Sequence, residues 1–273
     1  MSLILTKDNY FSPQNTAISN SKVSDFLKSK EFYKKKHIDH SIVHKQTANM
    51  KVGTCVDCFI SGQPIPYTTK VLKRDNPDVF EMQKELAEEV FISNAQLEEA
   101  YARAEAIKKE PFFGWYEQNG AEFQALLQAE YRNIPICGMA DIVTVTKKAV
   151  YIDDIKSVSK SKVRSPESWY WTCEEMGYLR QLAAYRYMWK AGNPKVRKPV
   201  ECRHVVVYKE DENVYKVKLF KIPTYLLETP LQIFHDTVEA ITNEKSWTDE
   251  PVEWKDVCEL RYPEKLPLLM DEE

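Results

Sequence analysis

Residues 134–157 read IPICGMADIVTVTKKAVYIDDIKS, and this stretch decides the fold. Its two halves, 134–146 and 149–157, are rich in β-branched residues and are separated by the polar pair Lys147–Lys148. Such runs, bounded by polar breaks, predict strands joined by tight turns. A further candidate strand, 123–131, comes directly before them. The pattern therefore predicts a three-stranded antiparallel meander.

Two acidic residues and a lysine lie on the second and third of these strands. Side chains alternate between the two faces of a strand, so Asp154 and Lys156 project to one face while Ile155 points into the core. The same alternation selects Asp154 over its neighbour Asp153. Asp141, on the adjacent strand, could face them. The sequence thus predicts a compact cluster of two carboxylates and an amine.

Such a cluster suits a divalent cation. Glu130, near the end of the first strand, could supply another carboxylate. Clustered carboxylates repel one another unless a cation neutralises them, and hard oxygen ligands favour Mg²⁺ or Mn²⁺ over zinc. A metal there would polarise a phosphodiester and lower the pKa of a bound water, while Lys156 would assist that water. The alternative is a strand edge whose charges only keep the protein soluble.

The rest of the chain places helices before and after the meander. Helices are predicted over residues 19–36, 48–60, 94–109, 169–190 and 224–245, and a hairpin over 203–209 and 214–221. This order predicts an α/β sandwich with an N-terminal helical portion laid across one side. We expect a single domain over 1–273, with a mainly helical portion 1–115, a core 116–245 and a C-terminal tail 246–273.

Gln181 and Tyr185 add a polar pair to the long helix that follows the meander. They are four residues apart, so they share a helix face within an otherwise apolar run. Gln181 could orient a water or a phosphate oxygen, and Tyr185 could contact a DNA backbone. The alternative is an ordinary amphipathic helix with two polar positions.

Taken together, these motifs resemble those of the PD-(D/E)XK nuclease superfamily. The Gln-x-x-x-Tyr element is typical of its branch that contains phage lambda exonuclease, the RecB nuclease domain and RecE-type exonucleases. The start of the first helix is also similar to the helix that opens such domains. The residues that carry the resemblance are Ile18 to Ser21, Gly53 to Asp57, Glu130, Gly138 with Asp141, Asp154-Ile155-Lys156, and Gln181 with Tyr185.

The resemblance implies a restriction-endonuclease-like core and a Mg²⁺- or Mn²⁺-dependent DNA exonuclease of phage recombination type. It implies metal ligands at Glu130, Asp141, Asp154 and the backbone carbonyl of Ile155. Relatives often carry a metal-binding histidine where this chain has Asp57, which can still ligate Mg²⁺. Such enzymes often form homo-oligomeric rings and act with a single-strand annealing protein.

A basic, serine-rich loop after Lys156 indicates contacts with DNA. Lys160, Lys162 and Arg164 precede Trp169, and cations beside aromatic rings suit a DNA strand end, with phosphates held by charge and bases stacked on rings. The alternative is that the tryptophans of this region only pack the start of the next helix.

Other metal sites and locations are less favoured by the sequence. Cys55 and Cys58 form a lone C-x-x-C among six cysteines, without the second pair that a zinc or iron–sulfur site needs. His37, His40 and His44 could share a helix face, but the residues between them look loop-like. No apolar stretch approaches a membrane span, and residues 1–10 do not resemble a signal peptide. A cytoplasmic location in a phage or bacterial host cell follows.

Two rival functions stay open. One is a single-strand-specific nuclease of the same fold, and the other is a catalytically silent DNA-binding or assembly protein. A net charge of -3 argues against wholesale non-specific binding to nucleic acid, but it permits a local basic groove.

Overall fold

The computed structural model describes residues 5–12, 14–42, 46–70, 75–83, 86, 90–212 and 214–248 of the 273-residue chain. The helices are α1 (Asn20–Lys28), α2 (Lys30–His37), α3 (Ala48–Ser61), α4 (Pro77–Gln83), α5 (Asn94–Lys108), α6 (Pro111–Gln118), α7 (Pro166–Met176), α8 (Tyr178–Gly192) and α9 (Glu228–Asn243). The strands are β1 (Thr68–Thr69), β2 (Phe91–Ile92), β3 (Glu122–Tyr131), β4 (Ile134–Val145), β5 (Val150–Val158), β6 (Val200–Asp211) and β7 (Val214–Ile222).

A five-stranded mixed sheet in the order β3-β4-β5-β6-β7 forms the centre of the fold. The first three strands are antiparallel neighbours, so the predicted meander is confirmed. β5 and β6 run parallel, and α7 and α8 form the crossover that a parallel pair requires. β6 and β7 form the predicted antiparallel hairpin. A separate parallel pair is made by β1 and β2.

Both faces of the sheet are covered by helices. Along β6, Val206 belongs to one hydrophobic cluster and Val205 to the other, because successive strand residues point to opposite faces. One cluster includes residues of α1, α8 and α9, and the other includes residues of α3, α5 and α6. The prediction that the N-terminal helices lie across one side is therefore wrong. These helices divide between the two faces because each face has its own apolar residues to bury.

Two predicted helices are each divided in two. The predicted helix 169–190 is interrupted at Gly177, whose φ of +67° ends α7 in the left-handed conformation that glycine adopts without a steric penalty. The predicted helix 19–36 is interrupted at Ser29, which is extended and caps α2 by accepting a hydrogen bond from the backbone N–H of Phe32. These breaks separate α7 from α8 and α1 from α2.

The remaining predictions concern a shared face of three histidines, the C-terminal tail and membrane-spanning helices. α2 ends at His37 and His40 has a φ of +50°, so these two histidines do not share a helix face. His44, Asn213, Cys258 and nearly all of the predicted tail lie outside the described residues. Within the described ranges, no helix combines the length and the apolar character that crossing a bilayer requires.

Candidate active site

The site forms where β4 and β5 separate. Their antiparallel pairing runs from Val145 opposite Val150 to Ile142 opposite Asp153, where the recorded pairing ends. Beyond that point the side chain of Asp141 takes over, because its Oδ2 accepts a hydrogen bond from the backbone N–H of Ile155 at 2.7 Å. A carboxylate thus accepts the hydrogen bond that a backbone carbonyl of the neighbouring strand would otherwise accept, at the point where the two strands separate.

The two consecutive aspartates of β5 point in opposite directions. Asp153 is fully buried and forms a bidentate ion pair with Arg203 of β6, with N···O distances of 2.5 and 2.7 Å. Asp154 points to the other face, where its Oδ2 lies 2.5 Å from Lys156 Nζ. The structure thus brings Asp154, and not Asp153, together with Lys156, as strand alternation predicts.

The amine of Lys156 is held from several directions. It donates a hydrogen bond to Gln181 Oε1 at 3.0 Å and lies 4.4 Å from the ring centroid of Tyr178. Gln181 Nε2 in turn donates to the hydroxyl of Tyr185, which donates to the backbone carbonyl of Met139 at 2.7 Å. Because Tyr185 is buried and its hydroxyl is used in this way, the prediction that it contacts a DNA backbone is wrong. The Gln-x-x-x-Tyr pair links the lysine to β4 instead.

Asp57 joins the carboxylates from α3. Its pKa is raised well above the ordinary value, first by burial and then by the negative charge of Asp141, with a smaller effect from Asp154 and an opposing one from Lys156. The helix that carries Asp57 packs against β3 and β5. The structure therefore brings an aspartate of α3 to the site at the position where the resemblance indicated one.

The electrostatics of the cluster reflect its crowding. Burial, followed by the charge of Asp154, raises the pKa of Asp141 to about 7. Burial also raises the pKa of Asp154, although Lys156 opposes the effect. For Lys156, burial disfavours the charged amine, but the charges of Asp154 and Asp141 outweigh it and raise the pKa. The amine therefore stays protonated, whereas the carboxylates have too little positive charge nearby to neutralise all of them.

The chemistry of these donors fits a hard divalent cation. Asp154 Oδ1 is buried and has no hydrogen-bond partner among the described residues, so it is an acceptor that a bound cation could satisfy. The carboxylates of Asp57, Asp141 and Asp154 offer only oxygen, which Mg²⁺ and Mn²⁺ prefer. As they stand, no three Asp, Glu, His or Cys side chains in the described ranges are arranged closely enough to hold a metal ion. Here the amine of Lys156 is the cation nearest to Asp154.

Glu130 does not belong to this cluster. It is exposed on β3 and pairs with Pro135 at the hairpin end, whereas Gln124 of the same strand donates a hydrogen bond to Asp141 at 3.4 Å. Six strand positions separate Gln124 from Glu130, which corresponds to about 20 Å. The predicted metal ligand Glu130 is therefore too distant, and the third carboxylate comes from Asp57.

The predicted DNA-contacting residues divide into exposed and buried ones. Lys160 and Lys162 pair at the surface with Glu210 and Glu175, and Arg164 is exposed. Trp169 is fully buried against Phe220, with ring centroids 5.5 Å apart, so the prediction that it stacks on a base is wrong. The alternative, that this tryptophan packs the start of the helix, is what the structure shows.

Sequence reasoning missed three neighbours of the site. Gln124 supports Asp141, Tyr178 lies against Lys156, and His204 is buried beside Asp154. Tyr178 could have been found, since it lies three residues before Gln181 and thus one helix turn away. His204 could not, because its place depends on the parallel pairing of β5 with β6, which is set by a crossover more than forty residues long.

The fold resembles a solved structure over most of its length. A crystal structure of a protein from Eubacterium rectale, described as a "putative exonuclease", superposes with a TM-score of 0.63 at 17% identity, over 88% of this chain and 87% of that one. The crystal structure of SSO0001 covers 83% of this chain and 84% of its own at 14% identity, but its TM-score of 0.29 carries no argument. A search of curated proteins finds no match.

The family model settles the affiliation. It matches residues 19–261, a range that contains all six residues that the site brings together: Asp57, Asp141, Asp154, Lys156, Gln181 and Tyr185. The family is described as a PDDEXK-like domain of unknown function. With the mixed sheet, the diverging strands and the Asp-Ile-Lys element in place, the chain belongs to the DUF3799 family and, through it, to the PD-(D/E)XK superfamily.

Proposed function

We propose that the protein is a Mg²⁺- or Mn²⁺-dependent DNA exonuclease that hydrolyses phosphodiester bonds from the ends of linear DNA. The observation that carries this proposal is the meeting of Asp141, Asp154 and Lys156 where β4 and β5 part. The description of the Eubacterium rectale protein supports the exonuclease activity.

Each residue of the cluster has a distinct task in this proposal. Asp57, Asp141, Asp154 and the carbonyl of Ile155 would hold the cation, which when bound would polarise the scissile phosphate and lower the pKa of a water. Lys156 keeps its proton, so it would donate hydrogen bonds to the attacking water or to the charge that develops on the phosphate oxygens.

A cavity beside the site could receive the substrate strand. It has a volume of about 550 Å³ and adjoins both Tyr178 and Ser157, the residue after Lys156. Arg103, Lys162 and Lys209 supply positive charge along its wall. Phosphates of an unpaired strand would meet these cations while a base packs on the tyrosine ring. This arrangement also suits the rival single-strand-specific nuclease, so the substrate preference must be measured.

The first test compares end-labelled blunt duplex, duplex with overhangs, single-stranded DNA and covalently closed circles, with and without Mg²⁺. We expect Mg²⁺-dependent release of nucleotides from linear substrates and intact circles. Lys156→Met should lower the rate by about 10²–10³-fold, because it removes a hydrogen-bond donor to the charge that develops in the transition state. Asp154→Asn should abolish the metal-dependent cleavage.

Glu130→Gln is the matched control, because Glu130 is a carboxylate of the same sheet that lies outside the cluster. It should cleave like the wild type. Cleavage that survives both chelation and Asp154→Asn would refute the proposal, and the absence of cleavage with any metal would favour the silent DNA-binding rival.

The wider role is part of the same proposal and is supported by the resemblance alone. It comprises action in phage-type recombination within a bacterial cytoplasm, a homo-oligomeric enzyme, and a single-strand annealing protein as partner.

A further inference from the structure

His204 lies directly behind the site. It is the β6 residue opposite Asp154 in the parallel ladder, and its side chain is fully buried. Its Nε2 has no hydrogen-bond partner in the described part of the chain and lies 3.8 Å from Asp154 Oδ2. An unpartnered nitrogen and a carboxylate therefore face each other in a region closed to water.

The other ring nitrogen indicates which proton the imidazole carries. Nδ1 lies 3.7 Å from the sulfur of Cys173 on α7. Burial raises the pKa of this thiol, so the sulfur keeps its hydrogen and can donate it to Nδ1. A neutral imidazole has a single N–H, on one ring nitrogen or on the other. If Nδ1 accepts, that N–H is on Nε2 and points towards Asp154.

We propose that His204 is a positioning residue whose Nε2–H, fixed by the thiol of Cys173, orients the carboxylate of Asp154 for cation binding. The inference rests on the proposed function, because Asp154 is a metal ligand only there. At 3.8 Å the two atoms are too far apart for a hydrogen bond, so the proposal requires the carboxylate to rotate towards the ring. Hydrogen bonds to ligating carboxylates commonly tune metal sites in this way.

Two substitutions distinguish the effect of the N–H donor from the effect of the volume that the ring fills. His204→Gln keeps an N–H donor, whereas His204→Met fills the space without one. By titration calorimetry with Mg²⁺ alone, we expect His204→Met to weaken binding by about 10- to 100-fold and His204→Gln by much less. His235→Gln is the control, since His235 is also buried, and its Nε2 has no partner among the residues that the structure describes, but it stacks on Tyr131 away from the site.

The second measurement needs neither metal nor substrate. Long-range ¹H–¹⁵N NMR of the metal-free wild-type protein should show neutral His204 with its proton on Nε2. A proton on Nδ1, or unchanged Mg²⁺ affinity in His204→Met, would overturn the proposal. If His204→Met does not fold, the NMR spectrum of the wild type and the Mg²⁺ affinity of His204→Gln still test the proposed role of His204. A wild type that binds no Mg²⁺ would count against the proposed function, whereas the position of the proton tests His204 by itself.

Discussion

At the scale of single residues, Lys156 is the best-supported side chain of the site. Asp154 and Gln181 contact its amine, and the ring of Tyr178 lies against it. A lysine side chain loses much rotamer freedom when it is fixed, so contacts on several sides are what hold it in one place. The position of the amine therefore depends on the residues around it and, through Gln181, on Tyr185.

Tyr185→Phe tests this dependence. The substitution removes the hydrogen bond to the Met139 carbonyl and the acceptor for Gln181, so we expect a loss of about 1 kcal/mol in the free energy of unfolding. We also expect slower cleavage, by roughly tenfold if positioning contributes about 1.4 kcal/mol. Urea denaturation and single-turnover kinetics measure the two effects.

Tyr187→Phe is the matched control on the same helix, because its hydroxyl makes only a long, exposed contact of 3.4 Å with the carbonyl of Glu130. It should change neither quantity. Wild-type cleavage by Tyr185→Phe would show that Gln181 holds the amine without the tyrosine.

Local periodicity explains which residues of the site could be predicted. Asp154 and Lys156 are two positions apart on one strand, so their shared face follows from the sequence alone. Glu130 and Trp169 were predicted by proximity to a motif, but their places depend on how far along the sheet they lie and on what packs over them. Tertiary packing of that kind cannot be predicted from a short segment of sequence.

At the scale of elements, β4 and α8 approach each other closely at Gly138. A Cβ atom added to Gly138 would lie 2.5 Å from Cε1 of Tyr185 and 2.8 Å from the terminal methyl of Met188. Real structures do not tolerate such distances, so the helix can lie this close to the strand only above a residue without a side chain. This contact sets the height of Gln181 and Tyr185 above the sheet.

Gly138→Ala should therefore be destabilising and should slow cleavage together. We expect a loss of about 1–3 kcal/mol in the free energy of unfolding, because the aromatic ring must move within a packed core. Gly114→Ala in α6 is the control, since an added Cβ there meets nothing within 4 Å. It should be neutral or should stabilise the helix by up to about 1 kcal/mol. A fully stable Gly138→Ala in chemical denaturation would contradict this account.

The elements themselves were largely predictable, and their boundaries less so. The meander and the hairpin follow from runs of β-branched residues with polar breaks, which are local signals. The breaks at Ser29 and Gly177 have local causes, a capping serine and a left-handed glycine, that a continuous apolar pattern concealed. Which face of the sheet each helix covers was not predictable, because both faces are apolar.

At the scale of the whole molecule, the crowded carboxylates couple stability to pH. The pKa of Asp141 is raised to about 7, and the pKa values of Asp57 and Asp154 are raised as well. A carboxyl with a higher pKa in the folded state keeps its proton at pH values where the unfolded chain, with a pKa near 4, has lost it. The stabilising effect is present below about pH 4 and is lost as the pH rises towards 7.

In the presence of a chelator, the melting temperature of the wild type should therefore fall between pH 5 and pH 7.5 relative to that of Asp141→Asn. Mg²⁺ should raise the wild-type melting temperature at the upper end of this range, because it binds only the folded, deprotonated cluster. It should have little effect on Asp141→Asn. Thermal unfolding followed by circular dichroism checks both expectations, and parallel curves for the two proteins would contradict them.

The Asp153–Asp154 doublet affects how relatives of this chain can be compared. Because the two carboxylates lie on opposite faces of β5, an alignment that is one residue out of frame still places an acid on each face. A relative with a single aspartate in this strand could therefore be aligned with either member of the doublet. Lys156 removes the ambiguity, since a slip would turn its amine away from the cluster. An alignment of relatives should therefore be anchored on the lysine, and the metal-binding aspartate is then the residue two positions before it.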